Sequence, residues 1–551
     1  MRASSQNIKP IPLEVVGSTT FGRYPKISSS NTYNMIISDE WLVPFAGYKL
    51  VVNILNNGVG RAIFSSTRFG RMIAVIENQV YVFNNNLSYS IAGELNSYEG
   101  DVFIDENNNS QIAICDKQNI YIYNWLTSVF TLVNTDFQPG YITYQDSYFI
   151  AADVTPSTIS APNPAQWRLS KSGDGTVWPA DSQHKGALQT KPDYVTGVLR
   201  VPGRGNNLYV FGSTVTELWA DVGAQLFPYQ RNTSVNIDYG CLSPSTLASS
   251  DNIAAWLGAN ERSGPVIMYS TGGDIQKIST DGIDFRLSQL ANPTSSYAFF
   301  FKQDGHLFYQ ITFSDPRDNL TLAYDFNTQK FFTLTDEQMN FHIAKRVAFF
   351  NNQYYFVSFI DGNLYQLSSE FNTYDYGNGD FYEIPRVRVC NNIGLPDASR
   401  YVINYVTFTL EQGTTNNFYQ NLGPFEIITE DGKSIVTEGT SIYLTSQNNI
   451  PYVTQDGFTM LIANQTSDEI NNLVTEQDEN LATVPRIDMC ISKDGGESYG
   501  SNSGKELNAL AHRKNKLIWY NLGYGNYINF QFRFWGLRRF VVMNGEVGIY
   551  Q

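Results

Sequence analysis

Cysteine, histidine and charge are all scarce in this chain. Four cysteines, Cys115, Cys241, Cys390 and Cys490, are scattered over 551 residues without a CxxC pair. That spacing argues against a disulfide framework and a cysteine-built zinc site, and free thiols fit a reducing cytoplasm. The four histidines, His184, His306, His342 and His512, form no HExxH or other ligand spacing, so no metal site is expected. Charged residues amount to 16% and sum to −15. A protein that grips nucleic acid needs basic surface to neutralise phosphates, and this chain as a whole repels them. No apolar run approaches the ~18 residues of a membrane helix. The start, Met1-Arg2-Ala3-Ser4-Ser5-Gln6-Asn7, lacks an apolar signal core. The expectation is a chain with no membrane anchor, made or assembled in the cytoplasm. No segment keeps a helical period over several turns.

What the chain has instead is aromatic and turn-forming. It is 42% hydrophobic and 14% aromatic, with Tyr, Phe, Asn and Gly abundant. Aromatics fill pleated surfaces, and Asn and Gly accept turn dihedrals. A strand–turn–strand unit recurs. Met72 to Ile76 turns at Glu77-Asn78-Gln79 into Val80-Tyr81-Val82-Phe83. About forty residues on, Ile112 to Cys115 turns at Asp116 to Asn119 into Ile120-Tyr121-Ile122-Tyr123. That offset is the spacing of propeller blades. Related hairpins centre on Gln145-Asp146-Ser147, on the turn before Leu208-Tyr209-Val210-Phe211, on Gln303-Asp304-Gly305 and on Asn351-Asn352-Gln353. Roughly six units result, within the range of propellers.

The blade rhythm stops in the Gly/Asn/Asp-rich stretch Tyr374 to Asp380. Residues 401–410 alternate like a half-buried strand, 411–480 are polar and acidic, and the segments around Leu517 to Tyr520 and Ile528 to Phe534 are strongly β. The predicted fold class is all-β: a β-propeller over 61–375 followed by a C-terminal β-sandwich-like sheet domain over 376–551, with a polar insertion at 411–480. Residues 1–60 read as an irregular segment packing on the C-terminal domain.

Several motifs suggest chemistry. Ser492-Lys493-Asp494-Gly495-Gly496-Glu497-Ser498-Tyr499 fits the Asp-box hairpin, and Ser172 to Trp178 is a truncated relative. In such a turn the Asp caps backbone N–H groups and Gly supplies positive φ, which is a structural role. Gly496-Glu497-Ser498-Tyr499-Gly500 matches G-x-S-x-G, but a nucleophile elbow needs a strand before it and a helix after it. Here polar turn residues stand on both sides, His512 is too near, and no Asp lies between. Gly500 to Lys505 is one residue short of a phosphate-binding loop, and Glu506 stands where Ser or Thr is required. Asn232-Thr233-Ser234 is a glycosylation sequon without a secretory signal. Arg513, Lys514, Lys516, Arg533, Arg538 and Arg539, interleaved with Trp519 and Trp535, could stack bases. Cross-strand pairing with carboxylates, or a protein contact, explains them more simply. No catalytic, cofactor-binding or metal-ligating residue is assigned, and no enzyme activity is expected.

In order and spacing the chain resembles the packaged-DNA stabilisation proteins, also called tail hub or nozzle proteins, of short-tailed bacteriophages. Three stretches carry the resemblance: Gly70-Arg71-Met72 to Phe83; Lys191-Pro192-Asp193-Tyr194-Val195-Thr196-Gly197-Val198 through Phe211-Gly212-Ser213 to Glu217-Leu218-Trp219; and the C-terminal Asp-box turn with Trp519 to Gly523 and Phe532 to Gly536. The resemblance implies a virion tail component that forms a homo-oligomeric ring, a hexamer, below the portal and its adaptor. Such a ring retains packaged DNA and conducts it during ejection. Double-stranded DNA would pass through its lumen without specific binding, and tail spikes, fibres or a needle would be further partners. The rivals are a sialidase-like glycosidase, for which Arg200-Val201-Pro202 is a faint signature in the wrong order, and a carbohydrate-binding tail adhesin.

Overall fold

The structure is a computed structural model. It describes residues 8–22, 30–54, 58–160, 162–163, 165–201, 207–235, 237–271, 275–412, 442–443, 461–462, 486–507, 514–536 and 539–550. Most of the expected 411–480 insertion lies outside them, as do His512, Arg513 and Arg538.

Among the described residues, seven sheets of at least four strands begin with the innermost strands Gly60–Ser66, Phe103–Glu106, Pro139–Gln145, Val195–Val201, Ala248–Ser250, Ser296–Gln303 and Ala344–Phe350. Each of these strands packs on the next and the last packs on the first, which closes a ring. These are propeller blades 1 to 7. The six hairpins legible in the sequence fall in blades 1, 2, 3, 4, 6 and 7. Blade 5, residues 240–277, was missed for a physical reason. Its inner edge is split into Gly240–Cys241 and Ala248–Ser250 around a 3-10 turn at Pro244–Thr246. Its next two strands, Ile253–Ala259 and Val266–Ser270, are joined by a loop rather than a tight turn. Neither half therefore shows the strand–turn–strand pattern. A short helix, Asp281–Ser288, follows blade 5 and is capped by Thr280, whose Oγ1 accepts the Ile283 N–H.

The described residues among the first 60 are not irregular. They hold the strands Lys9–Leu13, Asn31–Tyr33, Met35–Ser38, Trp41–Pro44 and Gly47–Val52. The last of these is the fourth strand of blade 7, antiparallel to Leu364–Ser368 with Tyr48 opposite Leu367. The ring is thus fastened by chain from opposite ends of the propeller sequence. Gly47 is required there, because a Cβ would lie 2.4 Å from the Thr373 carbonyl oxygen and 2.7 Å from that of Phe371. These short strands lack a period long enough to read; apart from the local hairpin of Met35–Ser38 with Trp41–Pro44, their partners lie hundreds of residues away.

Beyond blade 7 two sheets face each other. One contains Met35–Ser38, Trp41–Pro44, Phe540–Tyr550, Tyr401–Gln412 and Lys514–Gly525. The other contains Asn31–Tyr33, Arg386–Val389, Tyr527–Trp535, Arg486–Ser492 and Ser503–Glu506, and it continues through Tyr33 opposite Thr333 into the outer strand of blade 6. Alternation along Tyr527–Trp535 buries Ile528, Phe530, Phe532 and Phe534. Those side chains share one core with Phe408, Trp519, Phe301, Phe356 and Tyr365. Sandwich and blades 6 and 7 are therefore one packed body.

Candidate functional site

The inner strands enclose a cavity of ≈ 580 Å³ on the propeller axis, lined by all seven blades. Its wall mixes apolar side chains, including Phe103, Phe299 and Phe301, with polar ones. Four charged side chains line it: Asp105 of blade 2, Arg200 of blade 4, and Arg346 and Lys302 of blades 7 and 6. Lys302 is already paired with Asp251 at 2.9 Å. Arg346 donates through Nη1 to the Ala298 carbonyl. Asp105 Oδ2 accepts the Tyr144 N–H at 2.6 Å and the Thr143 hydroxyl at 3.1 Å, stapling blade 2 to blade 3.

Burial pushes the Asp105 carboxyl up to about 6, against the pull of those hydrogen bonds and of Arg200. The unfolded chain ionises the same group freely above 3.8. Above pH 6 the native state therefore carries an ionised carboxylate that its site disfavours, a penalty relieved as pH falls from 6 towards 3.8. Asp105→Asn keeps an acceptor for Tyr144 and removes the charge. It is expected to raise the melting temperature at pH 7.5, by an amount corresponding to about 2 kcal/mol. The advantage should shrink below pH 6 and be mostly gone by about pH 4, as read by thermal denaturation across pH. An equal gain at both pH values would show that the charge is not the cause.

At the end where the inner strands begin, Asp101 bridges Lys345 of blade 7 and Lys117 of blade 2, each at 3.0 Å. Lys345 is 8% exposed, and its ammonium also lies 4.1 Å from the centre of the Tyr297 ring. Burial alone would raise Asp101, but Lys345 first and Lys117 second hold it far below the usual carboxylate range. Beside this bridge Arg61 of blade 1, 1% exposed, donates to the carbonyls of Glu77, Ser97, Glu99 and Gly100 and to the Ser97 hydroxyl. Three consecutive positions in the ring, blades 7, 1 and 2, are locked by these three cations.

The cavity does not suit glycoside hydrolysis. That chemistry uses two carboxylates flanking the scissile bond, and Asp105 is the single acid among the lining residues. A sialidase grip needs three arginines, and Arg200 and Arg346 line the wall while Arg61 is spent on backbone carbonyls. Pro202 lies outside the described residues.

The other sequence motifs resolve into structure. Asp494 accepts the Glu497 and Ser498 N–H groups at 3.1 and 3.0 Å and the hydroxyls of Ser492 and Ser498. Gly495 and Gly496 have φ of 80° and 97°. Those hydrogen bonds, Ser492 first, hold Asp494 below the usual carboxylate range. The Ser498 hydroxyl is spent on this turn. The truncated relative at Asp174 caps Thr176 and ties blade 3 to Gln111 of blade 2 at 3.1 Å. Asn232 accepts from Ser234 in a local turn. In the basic cluster, the Arg533 guanidinium stacks 3.7 Å from the centre of the Trp535 ring, and Arg539 pairs with Asp304 of blade 6 at 3.0 Å. Burial pushes the Cys115 and Cys241 thiols up to about 12, and Cys390 to about 11, which leaves them unreactive.

One arrangement had no signal in the sequence. His306 Nδ1 lies 2.8 Å from Asp325 and Nε2 lies 3.3 Å from the Ser38 hydroxyl. His306 and Ser38 are 268 positions apart in the chain. None of them lines the axial cavity. They join blade 6 to the hairpin that follows Ser38.

Seven blades closed on an N-terminal strand, around an axial cavity whose few charges are largely engaged in joining blades, define a β-propeller scaffold. The chain belongs to the phage stabilisation family described as bacteriophage P22 Gp10, beta-propeller, whose model matches residues 24–372, more than half of the chain. It is accordingly a structural protein of the phage particle. The resemblance drawn from Trp519 to Gly523 and Phe532 to Gly536 lies beyond the matched residues. No curated protein matches the sequence. Among solved structures, a streptogramin B lyase is 12% identical over 59% of this chain and 97% of its own, with a TM-score of 0.37. A chain of a mitotic checkpoint complex is 14% identical over 56% and 88%, with a TM-score of 0.35. An ancestral GH74 enzyme is 12% identical over 64% and 51%, with a TM-score of 0.38. None of these likenesses bears on function. No helix among the described residues is long and apolar enough to cross a membrane.

Proposed function

We propose that this protein is a tail hub or nozzle subunit, one of six in a ring below the portal and its adaptor, which retains packaged DNA and guides it out. Membership of the phage stabilisation family is the observation that carries this reading. The propeller supplies rigid blocks for the ring wall. Its own axis is not the conduit, because a cavity of ≈ 580 Å³ cannot hold a duplex that takes ~34 Å for each turn. The DNA passage lies between subunits, on the ring axis that closed cyclic symmetry creates.

Net charge of −15 per chain suits this role. A basic wall would bind phosphates at many points and stall the duplex. With a Debye length of ~8 Å at physiological salt, only side chains lining the lumen act on it, and acidic and neutral polar groups are expected there. Electron cryomicroscopy of intact tails is the test. Six copies around a lumen of that character are expected. A single copy per particle would overturn the ring, and a lumen lined mainly by Arg and Lys would overturn the wall. Lysine in place of lumen carboxylates should slow ejection without blocking assembly, with a delay that shrinks as salt rises.

A further inference from the structure

The axial cavity has features that blade packing alone does not use. Tyr141, 8% exposed, lines it and sends its hydroxyl to no hydrogen-bond partner among the described residues. That hydroxyl is reached from the cavity rather than sealed in the core, so it is open to a hydrogen bond from there. Arg346 spends one of its five N–H donors on the Ala298 carbonyl. Arg200 of blade 4 also lines the cavity, close enough for its charge to act on Asp105. Asp105 keeps unused lone pairs beside its staple to Thr143 and Tyr144. The wall also carries aromatic rings, those of Phe103 and Tyr141 centred 4.2 Å apart. A volume of ≈ 580 Å³ falls within the usual ~300–1,000 Å³ of small-molecule sites.

From this convergence we infer that the axial cavity binds a small hydroxylated carboxylate, of the sugar-acid class. Arg346 and Arg200 receive the carboxylate, the Tyr141 hydroxyl and Asp105 exchange hydrogen bonds with ligand hydroxyls, and the aromatic wall takes an apolar ring face. The two cations outnumber the one carboxylate left unpaired, since Lys302 is neutralised by Asp251. An inorganic anion would satisfy the arginines and leave Tyr141, Asp105 and the rings idle. The site is independent of ring assembly, because every residue in it belongs to one chain.

The full-length chain titrated with D-glucuronate, followed by calorimetry and by ligand-observed NMR, tests the proposal. Saturable binding at one site per chain is expected, with glucose and phosphate each at least about tenfold weaker, the loss that follows when a charged hydrogen bond or its partners go unmade. Arg200→Gln, at an exposed position, should weaken glucuronate about tenfold or more, and Tyr141→Phe, which removes one oxygen, a few-fold. Both variants should melt like the parent. Absence of saturable binding by the parent, binding unchanged in both variants, or phosphate binding as well as glucuronate would each overturn the sugar-acid site. None of these outcomes bears on the tail-hub reading, which the copy number in tails decides.

Discussion

Tyr48→Ala should destabilise the chain by about 4 kcal/mol, the loss typical of a large aromatic truncated in a core. Tyr48 is fully buried in the strand that closes blade 7. It stacks on Tyr374 at 4.3 Å and meets His342, Phe356, Tyr365 and Tyr376 edge-on. Its hydroxyl bonds that of Tyr376 at 2.7 Å, and Tyr376 donates to Glu337 at 2.7 Å. Burial drives His342 down to about 3, so the imidazole is neutral and adds no charge to the cluster. Most domains have only ~5–15 kcal/mol in hand, and this loss falls on the strand that fastens the ring. Tyr48→Phe removes the hydroxyl alone and should cost about 1 kcal/mol. Denaturant unfolding of both variants checks the pair. Equal costs would mean that the hydroxyl chain, rather than ring packing, holds the closure.

Asp101→Asn should cost about 3–5 kcal/mol, the range for breaking a buried ion pair from one side. The substitution leaves the buried Lys345 ammonium facing Tyr297 with no counter-charge within reach of the bridge. Removing both charges is a different matter. Asp101→Asn with Lys345→Met should recover most of the loss, because desolvation of the cation disappears with it. Lys345→Met alone should be milder, since Lys117 still faces Asp101 at 3.0 Å. The native carboxyl lies below its unfolded value of 3.8. Its contribution is thus complete above that pH and fades as pH falls below it. Urea midpoints of the four chains at pH 7 and pH 3.5 complete the cycle. Additive losses would show that the two groups do not interact.

The hairpins of blades 1, 2, 3, 4, 6 and 7 were legible because each places two β-branched or aromatic runs around a polar turn, and turn chemistry is local. Blade 5 was not, since its inner edge is broken by Pro244–Thr246. The strands of residues 9–52 were illegible for a different reason. Three to six residues carry no period, and Asn31–Tyr33 is a strand only because Val387–Val389 and Thr333 lie beside it. The Asp-box turn was read correctly as structural because its residues are contiguous. The axial cavity was invisible: Asp105, Tyr141, Arg200 and Arg346 are ordinary strand residues until the ring brings them to one axis. The same holds for Asp101 and Lys345, 244 positions apart.

Closure by Gly47–Val52 also sets a timetable for biosynthesis. That strand leaves the ribosome early, yet its partner Leu364–Ser368 lies more than three hundred residues downstream. At ~5–20 residues per second the wait is roughly fifteen seconds to a minute. Lys9–Leu13 waits longer still, for Val547 and Ile549 at the far end of the chain. Throughout that interval blade 1 has no blade 7 to lean on, and apolar strands with free edges stand open to other nascent chains. Until the last blade and the C-terminal strand emerge, these early strands have no partners to cover their edges.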